Sequence, residues 1–200
     1  MIYDKIFKAG LVVGRFQPIH HTHAQMIQAS LDLCDQVVLL VGSAQEHHTE
    51  RNPFPVGLRM EMITTVFPTE RLIVRPLTDL SHENDITEEW GAYVLREAHQ
   101  HVDNPIDFMA YGNDENRRGW FNAESIKDMT TLIIPRHEGT QSATKVRELI
   151  CQNKFWLWLG EVPYPIRGYY TQLRRILSTI DYYKERYDLG TASIQDPISE

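Results

Sequence analysis

Apolar residues along this chain occur in two patterns that alternate as far as residue 134. Short continuous runs are typical of strands buried on both faces, whereas spacings of three and four are typical of one helix face. Five such runs predict strands, at Gly10–Val13, Gln36–Val41, Arg71–Arg75, Asp107–Tyr111 and Thr131–Ile134. The alternation of these strands with helices predicts an α/β fold, an open parallel five-stranded sheet flanked by helices.

Helical spacing fills the intervals between the predicted strands. A first helix presents Met26, Ile27, Leu31 and Cys34, a second presents Leu58, Met62, Ile63 and Val66, and a third begins with Trp90, Val94 and Ala98. A shorter helix is predicted over Ala123–Met129, and another begins near Ser142. Each of these segments follows a predicted strand, as the βαβ pattern requires.

The C-terminal quarter changes character after Trp156 and Trp158. Beyond Pro163 and Pro165 the pattern predicts one long helix, whose apolar stripe is formed by Ile166, Tyr169, Tyr170, Leu173, Ile176, Leu177 and Ile180. We therefore expect an α/β domain over residues 1–152, a C-terminal helical extension over 153–190 packed on it, and a flexible acidic tail over 191–200. The aromatic pairs Tyr169–Tyr170 and Tyr182–Tyr183 are interpreted as packing or subunit contacts.

Composition narrows the class of protein only slightly. Apolar residues make up 42% of the chain and charged residues 24%, which are ordinary globular values. A net charge of −7 argues against a nucleic-acid partner bound through a broadly basic surface. Two cysteines, Cys34 and Cys151, are expected to be buried free thiols in a reducing cytosol. No apolar run approaches the roughly 20 residues that span a bilayer, and Met1–Lys8 has no signal-peptide core, so a cytoplasmic protein without a membrane partner is expected.

The segment Gly14–His23 carries the first candidate chemistry. It follows the apolar run Leu11–Val13 directly, and ligands of open α/β sheets bind beyond the carboxyl ends of strands. His20 and His23 stand three apart at the start of a helical pattern, where imidazoles and backbone N–H groups meet phosphate well. No cysteine, carboxylate or H-E-x-x-H spacing completes a zinc site around them. Donation to phosphate oxygens is therefore preferred over metal binding or a pair of solvated histidines.

A second candidate is the segment Ser142–Arg147. Ser142 is a favourable N-cap residue, and Thr144 and Arg147 lie three apart at the start of the helix. The free N–H groups of that helix end, its dipole and the forked guanidinium of Arg147 all favour an anion. A capped helix with a surface arginine explains the segment equally well when it is considered alone.

Together, the two segments resemble a known pair of motifs. Gly14–His23 closely resembles the GRFQP-(H/T)-x-G-H signature of the nucleotidyltransferase superfamily, and Ser142–Arg147 resembles its second, S/T-x-x-R-type motif. The resemblance implies a Rossmann-like domain that attaches a nucleoside monophosphate to a phosphate acceptor and releases pyrophosphate. Thr22 replaces the usual glycine between the histidines, and a β-branched residue restricts the backbone there, so altered efficiency is expected.

The middle of the chain resembles one branch of that superfamily. Gly42–Phe54 is similar to the G-S-A-x-E-x-x-T-x-x-N-P-F block of archaeal-type nicotinamide mononucleotide (NMN) adenylyltransferases. Arg75–Asp79 is similar to their V-P-(V/L)-x-D step, and Asn84 and Trp90 fall near their N-x-x-W pair, although Ser81–Glu89 is a longer acidic insertion. The resemblance implies transfer of AMP from ATP to NMN, which forms NAD and pyrophosphate, with Mg²⁺ held by substrate and water rather than by protein.

The resemblance also assigns site residues. It implies a catalytic group of Arg15, His20, His23 and Arg147. ATP contacts are expected from these four and from Gly14, Phe16, Gln17, Tyr111, Gly112, Asn113, Arg136, Ser142 and Thr144. NMN contacts are expected from Ser43, Asn52, Phe54, Asp79, Asn84 and Trp90. Trp90 would offer an aromatic face to the cationic nicotinamide ring, although packing in the core is a serious alternative.

Two other functional classes stay open at this point. The first is another enzyme of the same superfamily, such as a phosphopantetheine adenylyltransferase or a cytidylyltransferase. The second is a non-catalytic sensor that binds NAD or ATP to control a partner, which the Thr22 departure leaves open. The oligomeric state is likewise open, although relatives assemble as homo-oligomers through this fold.

Overall fold

The computed structural model describes residues 5–80, 87–112, 117–134 and 142–187. Three predicted site residues, Asn84, Asn113 and Arg136, lie outside these described residues, as does the predicted tail over 191–200. None of the helices within the described ranges is long and apolar enough to cross a membrane.

The described strands form one parallel five-stranded sheet. The strands are β1 (Phe7–Gly14), β2 (Cys34–Val41), β3 (Leu72–Pro76), β4 (Ile106–Gly112) and β5 (Thr130–Ile134). Their order across the sheet is β3-β2-β1-β4-β5, and every neighbouring pair is parallel. This confirms the predicted fold class, and each predicted strand overlaps an observed one.

The sheet order places a topological switch point beside β1. From β1 the chain moves outward through β2 to β3, and it then returns to β4 on the other side of β1. Val12 of β1 pairs with Ala110 of β4, so the carboxyl ends of these two strands, Gly14 and Gly112, are neighbours. Open α/β sheets bind ligands in the crevice outside such a pair of strand ends.

The helices of the described chain vary from long to very short. They are α1 (His21–Leu33), α2 (Val56–Val66), α3 (Glu88–His99), α4 (Ala143–Cys151), α5 (Phe155–Leu159), α6 (Tyr170–Leu177) and α7 (Asp181–Tyr187), with 3₁₀ turns at Arg117–Trp120 and Tyr164–Tyr169. Thr87 caps α3 by accepting from the Trp90 N–H, and Glu88 and Glu89 favour the positive end of its dipole.

These elements divide into two compact units. The sheet unit comprises the described residues of 5–14, 25–44, 69–80, 87–112 and 117–134. The helical unit comprises 15–24, 45–68 and 142–187. The predicted boundary after residue 152 stays a prediction.

The core of the sheet unit is built from aliphatic side chains on both faces of the strands. Leu11, Val12, Val38 and Leu39 alternate in direction, and all four are fully buried. Burying one such side chain contributes about 1.5–3 kcal/mol. Apolar residues of α3 cover one of the two faces, and at Gly91 an added Cβ would lie only 1.7 Å from the carbonyl oxygen of Trp120.

The assignment of Cys34 to the first helix is wrong. Helix α1 ends at Leu33, and Cys34 is the first residue of β2, with no loop between them. The Arg71 guanidinium terminates the helix, because it donates to the carbonyl oxygens of Leu31, Cys34 and Asp35. The prediction that Cys34 and Cys151 are buried free thiols is confirmed.

The predicted short helix over Ala123–Met129 is also wrong, because this segment consists of turns. The Asn122 carboxamide oxygen accepts from the Glu124 N–H at 2.9 Å, and the Asn122 carbonyl accepts from the Ser125 N–H at 3.0 Å. Such local bonds from an asparagine favour a turn over a continuing helix.

The predicted long C-terminal helix is broken into three pieces, which is the third correction. Pro163 and Pro165 lack N–H groups, and the segment Tyr164–Tyr169 therefore takes 3₁₀ geometry before α6 begins. After α6, the Ser178 and Thr179 hydroxyls donate to carbonyls three residues earlier, at 2.8 and 2.7 Å. These bonds compete with the helix ladder, and α7 starts anew beyond Ile180.

Candidate active site

The two predicted histidines lie together at the beginning of α1. Their rings stack with centroids 3.8 Å apart, and the His20 carbonyl accepts from the Ala24 N–H as the first bond of the helix. His20 is buried and His23 is half-buried. Both imidazoles therefore sit where the free N–H groups and the dipole of α1 already favour negative charge.

Thr22, which departs from the family glycine, occupies ordinary helical backbone in the first turn of α1. The non-glycine residues with positive φ are Phe16, Ser43, His48 and Asn153 in the described chain, and Thr22 is not among them. The effect of this substitution therefore rests on its side chain, because the observed backbone is one that any residue adopts.

The loop that leads into α1 carries a strained residue at its centre. Phe16 has φ of 52°, is almost completely buried, and meets the His23 ring edge-on at 4.8 Å. A non-glycine residue in this left-handed region costs on the order of 1–3 kcal/mol, so the surroundings must hold it. The side-chain amide of Gln17 helps, because it accepts from the Phe54 N–H at 2.9 Å and donates to the Phe54 carbonyl at 3.2 Å.

Two buried arginines donate hydrogen bonds to the backbone on either side of Phe16. Arg59 of α2, with no exposed surface, donates from Nη1 to the Arg15 carbonyl at 2.9 Å. Arg147 of α4 donates from Nη1 to the Gln17 carbonyl at 2.7 Å. Since these carbonyls stand on either side of Phe16, the two guanidinium groups fix the backbone of the loop before the histidines.

Arg59 was not among the predicted site residues, although the sequence holds a signal for it. In α2 it lies three and four residues before Met62 and Ile63, which are both buried. A charged residue on the apolar face of a helix requires hydrogen-bonding partners inside the protein.

Arg147 donates to three partners among the described residues of the helical unit. Its Nε donates to the Tyr183 hydroxyl at 2.7 Å, and its Nη2 donates to the Thr144 hydroxyl at 3.3 Å, in addition to the Gln17 contact. The alternative interpretation of this segment, a capped helix with a surface arginine, is therefore excluded, because only 7% of Arg147 is exposed.

The beginning of α4 is capped as the sequence predicts. The Ser142 hydroxyl accepts from the Lys145 N–H at 3.2 Å. The Lys145 side chain forms an ion pair with Glu161 at 2.8 Å, and the Glu161 carbonyl accepts from the His21 N–H at 3.1 Å. The starts of α1 and α4 are thus joined through one residue of the helical unit.

The segment before α2 folds back on itself through backbone bonds. Thr49 accepts the Asn52 N–H at 3.0 Å through its hydroxyl, and the Pro53 carbonyl accepts from the His48 N–H at 3.2 Å. Asn52 and Phe54, two predicted NMN contacts, are both buried within this segment. The Tyr183 hydroxyl also reaches this segment, because it donates to the Glu50 carbonyl at 2.5 Å.

In the sheet unit, predicted residues gather at the carboxyl ends of the strands. Gly14 accepts from the Gly42 N–H at 2.9 Å through its carbonyl, and Gly112 ends β4 next to it. Tyr111 is buried and lines an apolar hollow with Val13, Met109, Ala110, Trp120 and Phe121. Gly14 and Gly112 therefore stand at the switch point, as a nucleotide-binding role requires.

Ser43 and Asp79 meet beyond the ends of β2 and β3. The Ser43 N–H donates to the Asp79 carboxylate at 3.2 Å, and the next residue, Ala44, donates to the Leu77 carbonyl at 3.0 Å. Ser43 is buried and has φ of 49°. The structure thus brings together two of the residues predicted to bind NMN.

Trp90 lies in the apolar core of the sheet unit. Its ring is 6.2 Å from Trp120 in an edge-on arrangement and 5.5 Å from Tyr93, and 6% of its surface is exposed. The structure shows the packing role that the sequence left as an alternative, and stacking on nicotinamide stays a prediction. No group of three or more His, Cys, Asp or Glu side chains suited to a metal ion occurs within the described ranges.

Comparisons with known proteins agree with this geometry. Residues 11–149 match the family described as cytidylyltransferase-like. The nicotinamide-nucleotide adenylyltransferase of Saccharolobus solfataricus is 30% identical over 173 residues, which are 82% of this chain and 91% of that protein. The enzyme of the same name from Thermoplasma acidophilum is 29% identical over 159 residues, covering 80% of this chain and 83% of the relative.

A solved structure shares the fold. The bifunctional NMN adenylyltransferase/ADP ribose pyrophosphatase of Francisella tularensis, complexed with AMP and a manganese ion, aligns with a TM-score of 0.64 at 19% identity. The alignment covers 90% of this chain and 52% of that one, so this chain spans about half the length of the bifunctional protein. The chain belongs to the cytidylyltransferase-like family of nucleotidyltransferases and, within it, to the group of nicotinamide-nucleotide adenylyltransferases.

Proposed function

We propose that this protein transfers AMP from ATP to NMN, forming NAD and pyrophosphate. The observation that carries the proposal is the stacked pair His20 and His23 at the start of α1, approached by a loop that buried Arg59 and Arg147 hold on both sides. Two imidazoles on one helix turn match the negative charge that a triphosphate presents.

The reaction needs no protein nucleophile. An oxygen of the NMN 5′-phosphate forms a bond to the α-phosphorus of ATP, and the bond from that phosphorus to the bridging oxygen breaks. Pyrophosphate leaves with the electron pair. Catalysis therefore rests on alignment and on stabilising the charge that develops on the phosphoryl oxygens and the leaving group.

In the helical unit, we assign the triphosphate to the predicted catalytic residues. His20 and His23 donate to phosphate oxygens from the first turn of α1, and Arg15 and Arg147 supply forked donors. Ser142 and Thr144 each accept one hydrogen bond in the structure and keep their own hydroxyl proton, which we assign to phosphate donation. Phe16 and Gln17 shape the loop rather than supply charge.

The divalent ion enters with the nucleotide in this proposal. Mg²⁺ keeps several waters and binds phosphates readily, so a dedicated protein cage is not needed. The manganese ion that accompanies AMP in the Francisella tularensis protein supports a requirement for a divalent ion. We propose MgATP as the substrate.

In the sheet unit, we assign the nicotinamide nucleotide to Asp79 and Ser43. A carboxylate accepts hydrogen bonds only, and two oxygens offer about four lone-pair sites. Asp79 therefore suits the N–H₂ of a carboxamide, whereas it would repel the carboxylate of nicotinic acid mononucleotide. NMN is accordingly the expected acceptor. Within the sheet unit, Trp90 is a further predicted contact, and Gly14, Tyr111 and Gly112 are predicted to lie beside the adenylyl group. The other predicted NMN contacts, Asn52 and Phe54, belong to the helical unit.

The deciding experiment follows both ends of ATP through the reaction. Purified protein is incubated with Mg²⁺, ATP labelled at either the α- or the γ-phosphorus, and NMN, nicotinic acid mononucleotide or phosphopantetheine. We expect α-label in NAD and γ-label in pyrophosphate with NMN, and slower turnover with nicotinic acid mononucleotide.

Other outcomes would change the assignment. Turnover with phosphopantetheine alone would keep the nucleotidyltransferase and overturn the acceptor. ATP or NAD binding with no pyrophosphate release from any acceptor would indicate a sensor and overturn the enzyme. The reverse reaction, ATP formation from NAD and pyrophosphate, checks a positive result without labelled substrate.

A further inference from the structure

The phenol of Tyr183 connects parts of the helical unit that are far apart in the sequence. Tyr183 lies on α7, is 3% exposed, and sits 36 residues from Arg147 and 133 from Glu50. Its hydroxyl accepts from Arg147 Nε at 2.7 Å and donates to the Glu50 carbonyl at 2.5 Å. Packing explains the buried ring, but it does not explain two hydrogen bonds on the hydroxyl.

The contact with Nε controls how the guanidinium is oriented. A guanidinium is planar, with five N–H donors in a fixed fork, so bonds to Nε and to one Nη define both its position and its plane. Tyr183 takes the Nε–H, and the Gln17 carbonyl takes an Nη1–H. Thr144 accepts a third N–H, and the partners in the described chain thereby leave two of the five donors for a ligand.

The charge of Arg147 is not neutralised by these partners. Two are hydroxyls and one is a backbone carbonyl, so none carries a negative charge. Burial raises the pKa of Tyr183 to about 12, although the nearby Arg147 acts in the opposite direction. The phenol therefore keeps its proton at neutral pH, and Arg147 presents a full positive charge from a fixed position.

We propose that Tyr183 is a positioning residue that aims the Arg147 guanidinium at the triphosphate of ATP. This inference rests on the proposed function for the identity of the ligand. Arg147 touches the substrate, and Tyr183 acts through it. Arg147 of α4 also donates to the Gln17 carbonyl in the loop before the histidines. By fixing the Arg147 side chain, the Tyr183 hydroxyl therefore also fixes the distance between α4 and this loop.

The test replaces Tyr183 by phenylalanine, which keeps the ring and removes the hydroxyl. Tyr182→Phe is the matched control, since that neighbouring hydroxyl accepts from Arg186 instead. Misplacing a substrate-positioning group commonly costs on the order of 10- to 100-fold, and we expect a loss of about that size in kcat for Y183F, with KM for NMN unchanged. Y182F should retain wild-type kcat.

A double-mutant cycle separates positioning from mere stability. If Tyr183 acts through Arg147, adding Y183F to R147A should lower kcat by less than about twofold, because the group it aims is already gone. An equal loss in the wild-type and R147A backgrounds would overturn the proposal. A lower Tm for Y183F with unchanged kcat would also overturn it, because that result assigns the hydroxyl to stability alone.

A measurement without turnover keeps this proposal distinct from the proposed function. The ¹⁵N-labelled arginine Nε–H resonance of Arg147, identified by its disappearance in R147K, should exchange slowly in the wild type and rapidly in Y183F. Calorimetric affinity for MgATP without acceptor should fall in parallel. If the wild type forms no NAD but both changes occur in Y183F, the proposed function fails and the role of Tyr183 stands. If NAD forms but neither change occurs, the proposed function stands and the role of Tyr183 fails.

Discussion

The two units of this protein bury different kinds of side chain. In the sheet unit, the buried polar side chains of the described chain are Ser30 and Ser43. The helical unit buries three arginines, Arg59, Arg147 and Arg174, and each donates to a backbone carbonyl. Apolar burial holds the sheet, whereas buried positive charge fixes the backbone around the candidate site.

The difference has a physical reason. A parallel sheet satisfies its own backbone groups, so its side chains need only to fill space. The loop around Phe16 has no such ladder, and its carbonyls need donors from elsewhere. Guanidinium groups supply those donors and leave a positive field for an anionic ligand. The helical unit, which contains the proposed catalytic residues, is therefore expected to respond to substitution differently from the sheet unit.

The largest effect is expected at His23, where activity and stability should separate. His23→Ala removes one of two imidazoles proposed to stabilise the transition state, and kcat should fall by about 10²- to 10³-fold. The side chain is only half-buried, so the free energy of unfolding should change by less than about 1 kcal/mol. NAD formation and thermal unfolding are measured on the same sample.

The neighbouring histidine provides the control for that experiment. His21 lies on the same helix turn but is not stacked on His20, so His21→Ala should retain near wild-type kcat. Comparable losses in both variants would mean that the helix start, rather than His23 itself, is what activity requires.

In the sheet unit, adding a single Cβ at Gly91 should lower the free energy of unfolding. Gly91→Ala places a Cβ 1.7 Å from the Trp120 carbonyl oxygen, which is backbone and cannot simply rotate away. Overpacking of this kind costs about 1–3 kcal/mol or more. Chemical denaturation should show a lower midpoint for this variant.

The same substitution in the helical unit should act in the opposite direction. At Gly57, in α2, nothing lies within 4 Å of an added Cβ. Alanine is favoured over glycine in a helix by up to about 1 kcal/mol, so Gly57→Ala should be neutral or stabilising. A loss of stability at Gly57 as large as at Gly91 would show that the close contact with Trp120 is not the cause.

Arg174 is a buried arginine outside the candidate site, and it tests whether a buried charged side chain by itself contributes to the free energy of unfolding. Arg174 donates from Nη1 to the Ile150 carbonyl at 2.6 Å, near the end of α4. Arg174→Met leaves that acceptor unsatisfied and should cost about 1–3 kcal/mol without a direct effect on kcat. The exposed neighbour Arg175 is the control, since Arg175→Met should change stability by about 0.5 kcal/mol or less.

The effect that is smallest at neutral pH is the pH dependence of stability, which depends on one buried thiol in each unit. Burial raises the pKa of Cys34 and of Cys151 from 9.0 to about 12. The folded protein therefore keeps both thiols neutral, while the unfolded chain ionises them above pH 9. Their contribution to stability is fully present below pH 9 and is lost as the pH rises towards 12.

We therefore expect Tm to decline between pH 9 and 12, and Cys34→Ala should make that decline shallower. Tyr183, whose pKa is also raised to about 12, adds to the decline from pH 10 upward. A thiol reagent at pH 8 should leave both cysteines unmodified until the chain unfolds. Rapid modification of the folded protein would contradict the burial of these groups.

Local patterns predicted most of the fold, and they failed in one place because of a distant residue and in another because of local hydrogen bonds. The apolar runs predict all five strands, because parallel strands are buried on both faces. The assignment of Cys34 to a helix failed because Arg71, from another part of the chain, ends α1 at that point. The long C-terminal helix failed for a local reason that the stripe conceals, the hydroxyls of Ser178 and Thr179.

The candidate site likewise contains residues that the sequence predicts and residues that it misses. Gly14–His23 and Ser142–Arg147 are continuous motifs, so the sequence alone leads to His20, His23 and Arg147. Arg59 could have been found from its place on an apolar helix face. Tyr183 could not, because its contact with Arg147 follows from tertiary folding, and its spacing fits ordinary packing equally well.

The hydrogen bonds of Arg147 also have a consequence for the order of folding. They join residues separated by 130 positions at Gln17 and by 36 at Tyr183. Contacts at such separations close large loops and form late, after local helices and neighbouring strands. A nascent chain in which both motifs have been synthesised still lacks, until α7 follows, the phenol that we propose orients Arg147. The proposed contact of Arg147 with a nucleotide therefore depends on α7 having packed within the helical unit.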